Sequence, residues 1–126
     1  MQMTPNLIAS GNIRPFRFVT MSEDRQAAES NLNEIMVGVC EGSTTDFTSD
    51  NHATVGLEIS LQTGHIVRVI TGEAILFGQR VQSDAEGAAV VIDAAGTRNY
   101  AGVAMYDAAS GEELEIFWMP GSIVVA

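Results

Sequence analysis

The sequence contains no lysine, one cysteine, two histidines and no long run of apolar residues. Each shortage bears on a class of function. With lysine absent, the six basic residues are all arginine, set against 16 Asp and Glu for a net charge of −10. A surface of that sign repels phosphate backbones, which argues against nucleic acid as a direct partner. Acidity of this kind keeps a protein soluble and also complements a basic partner. A lone cysteine forms no intrachain disulfide, so stability must come from packing or from association. Cys40 sits in the apolar run IMVGVC, the setting of a small buried hydrophobe. No apolar stretch approaches the ~20 residues that a membrane-spanning helix requires. MQMTPNLIAS has neither the basic start nor the apolar middle of a signal peptide. The expectation is a soluble chain made in a cytoplasm, with no membrane partner.

Helical periodicity is also scarce. From residue 72 to residue 118, short β-branched and apolar runs alternate with the clusters SDAEG, DAAG and DAASG. Asp and Ser bond their own backbone a residue or two on, and Gly accepts a positive φ, so each cluster predicts a tight turn between strands. Residues 22–35, SEDRQAAESNLNEI, are the only candidate helix, with Ser22 as its cap. Their apolar content is too thin to bury a face, which leaves one or two turns, or a loop.

The remaining strands follow from alternation. Val55, Leu57, Ile59 and Leu61 alternate with Gly56, Glu58 and Ser60, and Thr63-Gly64 predicts a turn into an antiparallel return over residues 66–70. Phe16 and Phe18 fall on one face of an extended segment that Pro15 confines to an edge or a strand start. Pro120-Gly121 fits a type II turn, leaving Ile123, Val124 and Val125 on a last strand that must pair and be covered. Pro5, Leu7 and Ile8 lie in a terminal arm, frayed or docked on a neighbour.

Candidate chemistry is sparse. His52 and His65 do not match zinc-ligand spacing, and one cysteine cannot complete a zinc set without carboxylates. A Cys40–His pair oriented by Asp46 or Asp50 can be drawn for nucleophilic catalysis, but an apolar strand gives the thiol no activation. Glu112, Glu113 and Glu115 offer carboxylates for hydrolysis or Ca²⁺, against the simpler reading of a solvated strand face. Gly72 and Gly78 are too far apart to cradle phosphate and open no helix. No catalytic, cofactor or metal residue is assigned, and no cofactor is expected.

Four stretches together carry a family resemblance: GNIRPFRFV, VGVCEGST, GEAILFGQRVQSDAEG and YAGVAMYDAASGEELEIFW. Their order resembles the capsid decoration, or cement, proteins of tailed bacteriophages. Such proteins show an R-P-x-R-F-V opening, an I-G-V-S-Q-E-G-T-like strand end, a G-x-x-V-x-x-D-x-x-G turn and a closing G-V-A segment ahead of G-E. The likeness spans roughly residues 11–118. It implies a non-enzymatic β domain, commonly a homotrimer, on the outer surface of the expanded head near three-fold axes. There it would bridge major capsid protein subunits and stabilise the shell against DNA pressure as a virion component.

The resulting expectation is an all-β fold, a small antiparallel β-sandwich or β-tulip-like domain over residues 11–126. An arm covers residues 1–10, with at most one short helix. Interface residues are expected at Pro5, Leu7, Ile8, Phe16, Phe18, Ile123, Val124 and Val125. The alternative is a carbohydrate- or receptor-binding β module of a virion surface or tail structure, using the loop 41–54 with Phe47 as its only aromatic.

Overall fold

The computed structural model describes residues 7–42 and 50–126. Ten strands are present and no helix among the described residues: β1 (Leu7–Ala9), β2 (Phe18–Glu23), β3 (Gln26–Glu29), β4 (Gly38–Val39), β5 (Glu58–Ile59), β6 (Ile66–Ile70), β7 (Arg80–Ser83), β8 (Ala89–Val91), β9 (Gly96–Ala104) and β10 (Glu113–Val125). They form two five-stranded sheets, ordered β4-β2-β3-β1-β5 and β6-β10-β9-β7-β8. The all-β expectation holds. The pairing is antiparallel except between β1 and β3, which run parallel.

The second sheet curls until its ends meet. Thr71, just past β6, bridges Ala89 at the start of β8, and the Gly72 N–H donates to the Ala89 carbonyl at 2.8 Å. Inside the curl pack Val67, Val69, Ile75, Val81, Leu114 and Ile116, all almost fully buried. A second core holds Leu7, Ala9, Ile13, Val19, Ala27, Cys40 and Ile59. Because successive strand residues point to opposite faces, neighbours part company here. Phe18 and Val39 enter the first core, while Val19 and Cys40 enter the second. The β2–β4 end of the first sheet is thus shared by both cores.

Four sequence expectations give way to longer-range pairing. The described end of the arm, Leu7–Ala9, is an inner strand with β3 on one side and β5 on the other. Residues 22–35 form no helix. β2 runs on to Glu23 and returns as β3 through Asp24-Arg25, because β3 gains partners on both edges and buries Ala27. The hairpin expected over residues 55–70 is a crossover: β5 pairs with β1 in the first sheet and β6 with β10 in the second. Val55 and Leu57 consequently stay exposed. Pro120-Gly121 makes no turn. β10 passes straight through it with a register shift between Trp118 and Gly121, so that Met119 and Pro120 together face Ala101 of β9. Such a bulge is where a strand tolerates a proline, which has no N–H to pair.

The turn clusters behave as expected. Asp84 Oδ1 accepts from the Glu86 and Ala88 amides at 2.8 and 2.9 Å. Gly87, Gly96 and Gly111 take φ values of 77°, 102° and 81°. The outer edge of β9 is closed in an unusual way. Asn33, at φ 61°, donates from Nδ2 to the Thr97 carbonyl at 3.0 Å and accepts at Oδ1 from the Asn99 amide at 2.9 Å. Its side chain stands in for a strand residue. Asn33→Ala is expected to lower unfolding free energy by about 1–3 kcal/mol, read from urea denaturation midpoints; an unchanged midpoint would contradict this role.

Candidate functional site

The motif-bearing residues converge, but on structure rather than on chemistry. Arg14 grips Glu29 through Nε and Nη2 at 3.0 and 2.9 Å, and its backbone N–H donates to the same carboxylate at 2.7 Å. Arg14 and Arg17 also reach the Glu86 carbonyl at 3.3 and 3.2 Å. The RPFRFV stretch therefore clamps the SDAEG turn of the second sheet onto the first. The Phe18 amide completes the clamp by donating to the Gly87 carbonyl at 2.8 Å.

Cys40 is fully buried, donating from Sγ to the Arg14 carbonyl at 3.0 Å. Burial pushes its thiol up to about 11 from 9.0, the opposite of an activated nucleophile. Between those two values the folded state keeps a proton that the unfolded state has lost. Stability is therefore fully present below pH 9 and falls as pH rises toward 11. The loss amounts to about 3 kcal/mol. Urea denaturation across this range should show the decline in the native protein and a flatter profile in Cys40→Ala; matching profiles would contradict it. His52 is buried and accepts from the Ser60 amide at Nε2, 3.0 Å away.

The glutamate cluster is spoken for in part. Glu112 accepts from the Ala109 amide at 2.6 Å and so braces the DAASG turn, while Glu113 pairs with Arg68 at 3.7 Å. No group of three potential metal ligands occurs among the described residues. A groove of about 420 Å³ runs between β7–β8 and the end of β10, lined by Arg80, Val91, Val103, Ile123 and Val125 among others. Its lining is aliphatic apart from Arg80 and Gln79, and it contains no aromatic residue.

The expected interface residues separate into distinct settings. Leu7 and Phe18 are 2% and 0% exposed and give their side chains to the cores, so they have no surface to offer. Phe18 and Phe16 do not share a face, because Phe16 adopts φ 57° in a turn with Pro15. Phe16 is half-buried; its ring lies where a Cβ on Gly42 would be, and it borders an open hollow with Ile66, Arg68 and Glu115. Ile8 is 37% exposed. Pro5 and Phe47 lie outside the described residues. Val124 is 75% exposed, with Ile123 and Val125 half-buried on the same strand. Beyond Phe117, β10 has β9 on one edge, and no strand among the described residues pairs with its other edge.

A further surface escaped the sequence reading. On the outer face of the second sheet, Ile66 of β6 lies opposite Phe117 of β10, which lies opposite Val103 of β9. Ile66, Phe117 and Met105 are 48%, 43% and 41% exposed. His65 stacks on Phe117 with ring centroids 6.1 Å apart. The loop carrying Leu76 and Phe77 adjoins this face, the Phe77 amide donating to Asp107 Oδ1 at 2.8 Å. The signal was present in the alternation of IVRVI and LEIFW, whose outward positions are partly apolar. A contiguous apolar patch of this kind marks an interaction surface rather than a reaction centre.

Comparison with known proteins agrees with a surface-based role. A family model described as phage cement protein matches residues 3–119. Among solved structures, the N base of the head fiber gp8.5 in bacteriophage phi29 is similar, with a TM-score of 0.69 and 18% identity. That match covers 90% of this chain and 91% of the other. At that identity the likeness speaks for the fold. Among curated proteins nothing matches this chain.

Proposed function

The chain belongs to the phage cement protein family, and from that premise we propose that it is a non-enzymatic decoration protein of the phage head. Membership assigns it a capsid-associated structural role. In the finer reading it binds the outer surface of the expanded shell near three-fold axes. There it bridges major capsid protein subunits as a homotrimer and resists the pressure of packaged DNA. The observation that carries this is the family match over nearly the whole chain. The chemistry fits: the one thiol is buried and pushed up in pKa, and two of the three clustered glutamates, Glu112 and Glu113, are engaged in a turn and an ion pair.

Association between copies is assigned to the end of β10. Residues 119–126 carry no charged side chain, so chains of net charge −10 meet there with least repulsion. Val124 is exposed and no strand among the described residues pairs with the outer edge of β10 there, a combination that proteins ordinarily cover. Ile8 and Phe16, with Pro5, are assigned to the shell or to an adjacent protomer.

The reading is tested by adding the purified protein to expanded capsids that lack it and sedimenting the mixture. Saturable co-sedimentation, with decorated shells surviving heating that opens bare ones, is expected; protein left wholly in the supernatant would contradict it. Light scattering separately reports assembly, where a trimer, or a monomer that trimerises only on the shell, is expected and a stable dimer is not.

A further inference from the structure

We infer that the outer face of the second sheet, centred on Ile66, Phe117, Val103 and Met105, is the surface that seats on the shell subunit, and that its seat is an apolar protein patch bordered by arginine or lysine. This rests on the decoration reading above and goes beyond it by naming the face and the chemistry of what it meets.

The face is built for contact. Three of its apolar members come from adjacent strands in register, Ile66 against Phe117 against Val103, so their spacing is fixed by backbone pairing, and Met105 follows directly on the end of β9. Phe117 is held further by the stacked His65 ring. The strands beneath are rigid, their inward residues Val67, Leu114 and Ile116 being almost completely buried. Aromatic and methionine side chains presented on a rigid platform give large contact area at low ordering cost.

The charges around the patch choose the occupant. Arg68 and Glu113 are paired at 3.7 Å and largely offset each other. Glu115, opposite Arg68 and next to Met105, and Asp107 beyond it leave that flank acidic. At the other end Arg80, opposite Val103, lies over the Tyr100 ring at 5.2 Å. A second copy laid on this face would add its own net charge of −10 to the same sign, and an anionic lipid surface would be repelled in the same way. A protein patch with basic groups facing Glu115 and Asp107 meets attraction instead, and the overall charge steers its approach.

The test measures binding of the full-length protein to expanded shells lacking it, by sedimentation over a concentration series. Phe117→Asp and Ile66→Ser place their changes on different strands, and urea midpoints identify any variant that is unfolded. Folded Phe117→Asp is expected to bind about 100-fold more weakly and Ile66→Ser about 10-fold, as for residues at the centre of an interface. Glu115→Arg is expected to weaken binding most at low salt and least at high salt. Val55→Asp, which adds a charge at an exposed site in the turn ahead of β5, should bind as the native protein does. If native protein binds and all three face variants match it within about twofold, the inference is overturned while the decoration reading stands. If native protein fails to bind, both fall.

Discussion

Gly102→Ala is expected to cost about 4 kcal/mol or more, a large share of the 5–15 kcal/mol typical of a domain. The reason is proximity, not backbone freedom. Gly102 sits on β9 between two partners, opposite Trp118 of β10 and opposite Val81 of β7. The bulge at Met119-Pro120 brings β10 so near that a Cβ on Gly102 would overlap the Phe117 carbonyl oxygen. It would also stand 2.9 Å from the Phe117 carbonyl carbon and 3.2 Å from the Met119 nitrogen. Those atoms are backbone and cannot swing aside, so relief means parting β9 from β10 along the longest ladder among the described strands. Trp118, the only tryptophan, lies opposite and reports on the change. Gly11, where a Cβ meets nothing within 4 Å, is the control, and Gly11→Ala should shift stability by less than about 0.5 kcal/mol. Equal urea midpoints for the two alanine variants would show that the bulge yields and that the close approach does not constrain the strand.

Phe18→Ala comes second, with an expected loss of about 3–5 kcal/mol. Among the described residues Phe18 is the largest fully buried side chain, and it belongs by backbone to one sheet and by side chain to the core of the other. Its amide donates to the Gly87 carbonyl, its carbonyl accepts from the Ser30 amide, and a Cβ on Gly87 would stand 3.0 Å from that same carbonyl oxygen. Truncating the ring leaves a cavity at the seam between sheets that the clamped backbone cannot close. Two native reporters sit on opposite sides of that seam: Trp118 packs on the first core and Cys40 lies in the second. In the native protein, loss of Trp118 emission order and exposure of Cys40 to a thiol reagent should coincide along a urea titration. In Phe18→Ala they should separate, because the seam no longer couples the sheets. Coincident transitions at native stability would rule out this role.

These two residues also mark the boundary of what the sequence makes legible. Turns whose chemistry is local were readable: an Asp whose carboxylate bonds amides two and four residues on, followed by Gly at positive φ, specifies itself. The all-β class followed from the same punctuation. Features that depend on a distant partner were not readable. Phe16 and Phe18 look like one exposed face until Pro15-Phe16 turns and Phe18 finds the second sheet. Pro120-Gly121 looks like a turn until β9 pairs on both sides of it. Residues 55–70 look like a hairpin because Gln62 imitates one. Its side chain accepts from the Arg68 amide at 2.8 Å and donates to the Arg68 carbonyl at 2.6 Å, while the backbones go to different sheets.

The same limit applies to the candidate surface. Residues at the ends of the chain were natural suspects because terminal apolar residues need cover, and Val124 does lie exposed. Ile66 and Phe117 were harder to suspect, since half of any strand in an all-β protein is apolar. Only the register, which sets them side by side and pointing away from the core, distinguishes them from packing residues.

The central claim is that this domain works by adhering to a capsid, and one measurement addresses it directly. Expanded capsids lacking the protein are mixed with it and imaged with and without it by electron cryomicroscopy. The account predicts added density on the outer surface at three-fold or quasi-three-fold positions, each bridging neighbouring shell subunits through the Ile66–Phe117 face. Shells with no added density at those positions, at protein concentrations that saturate any binding, would contradict it.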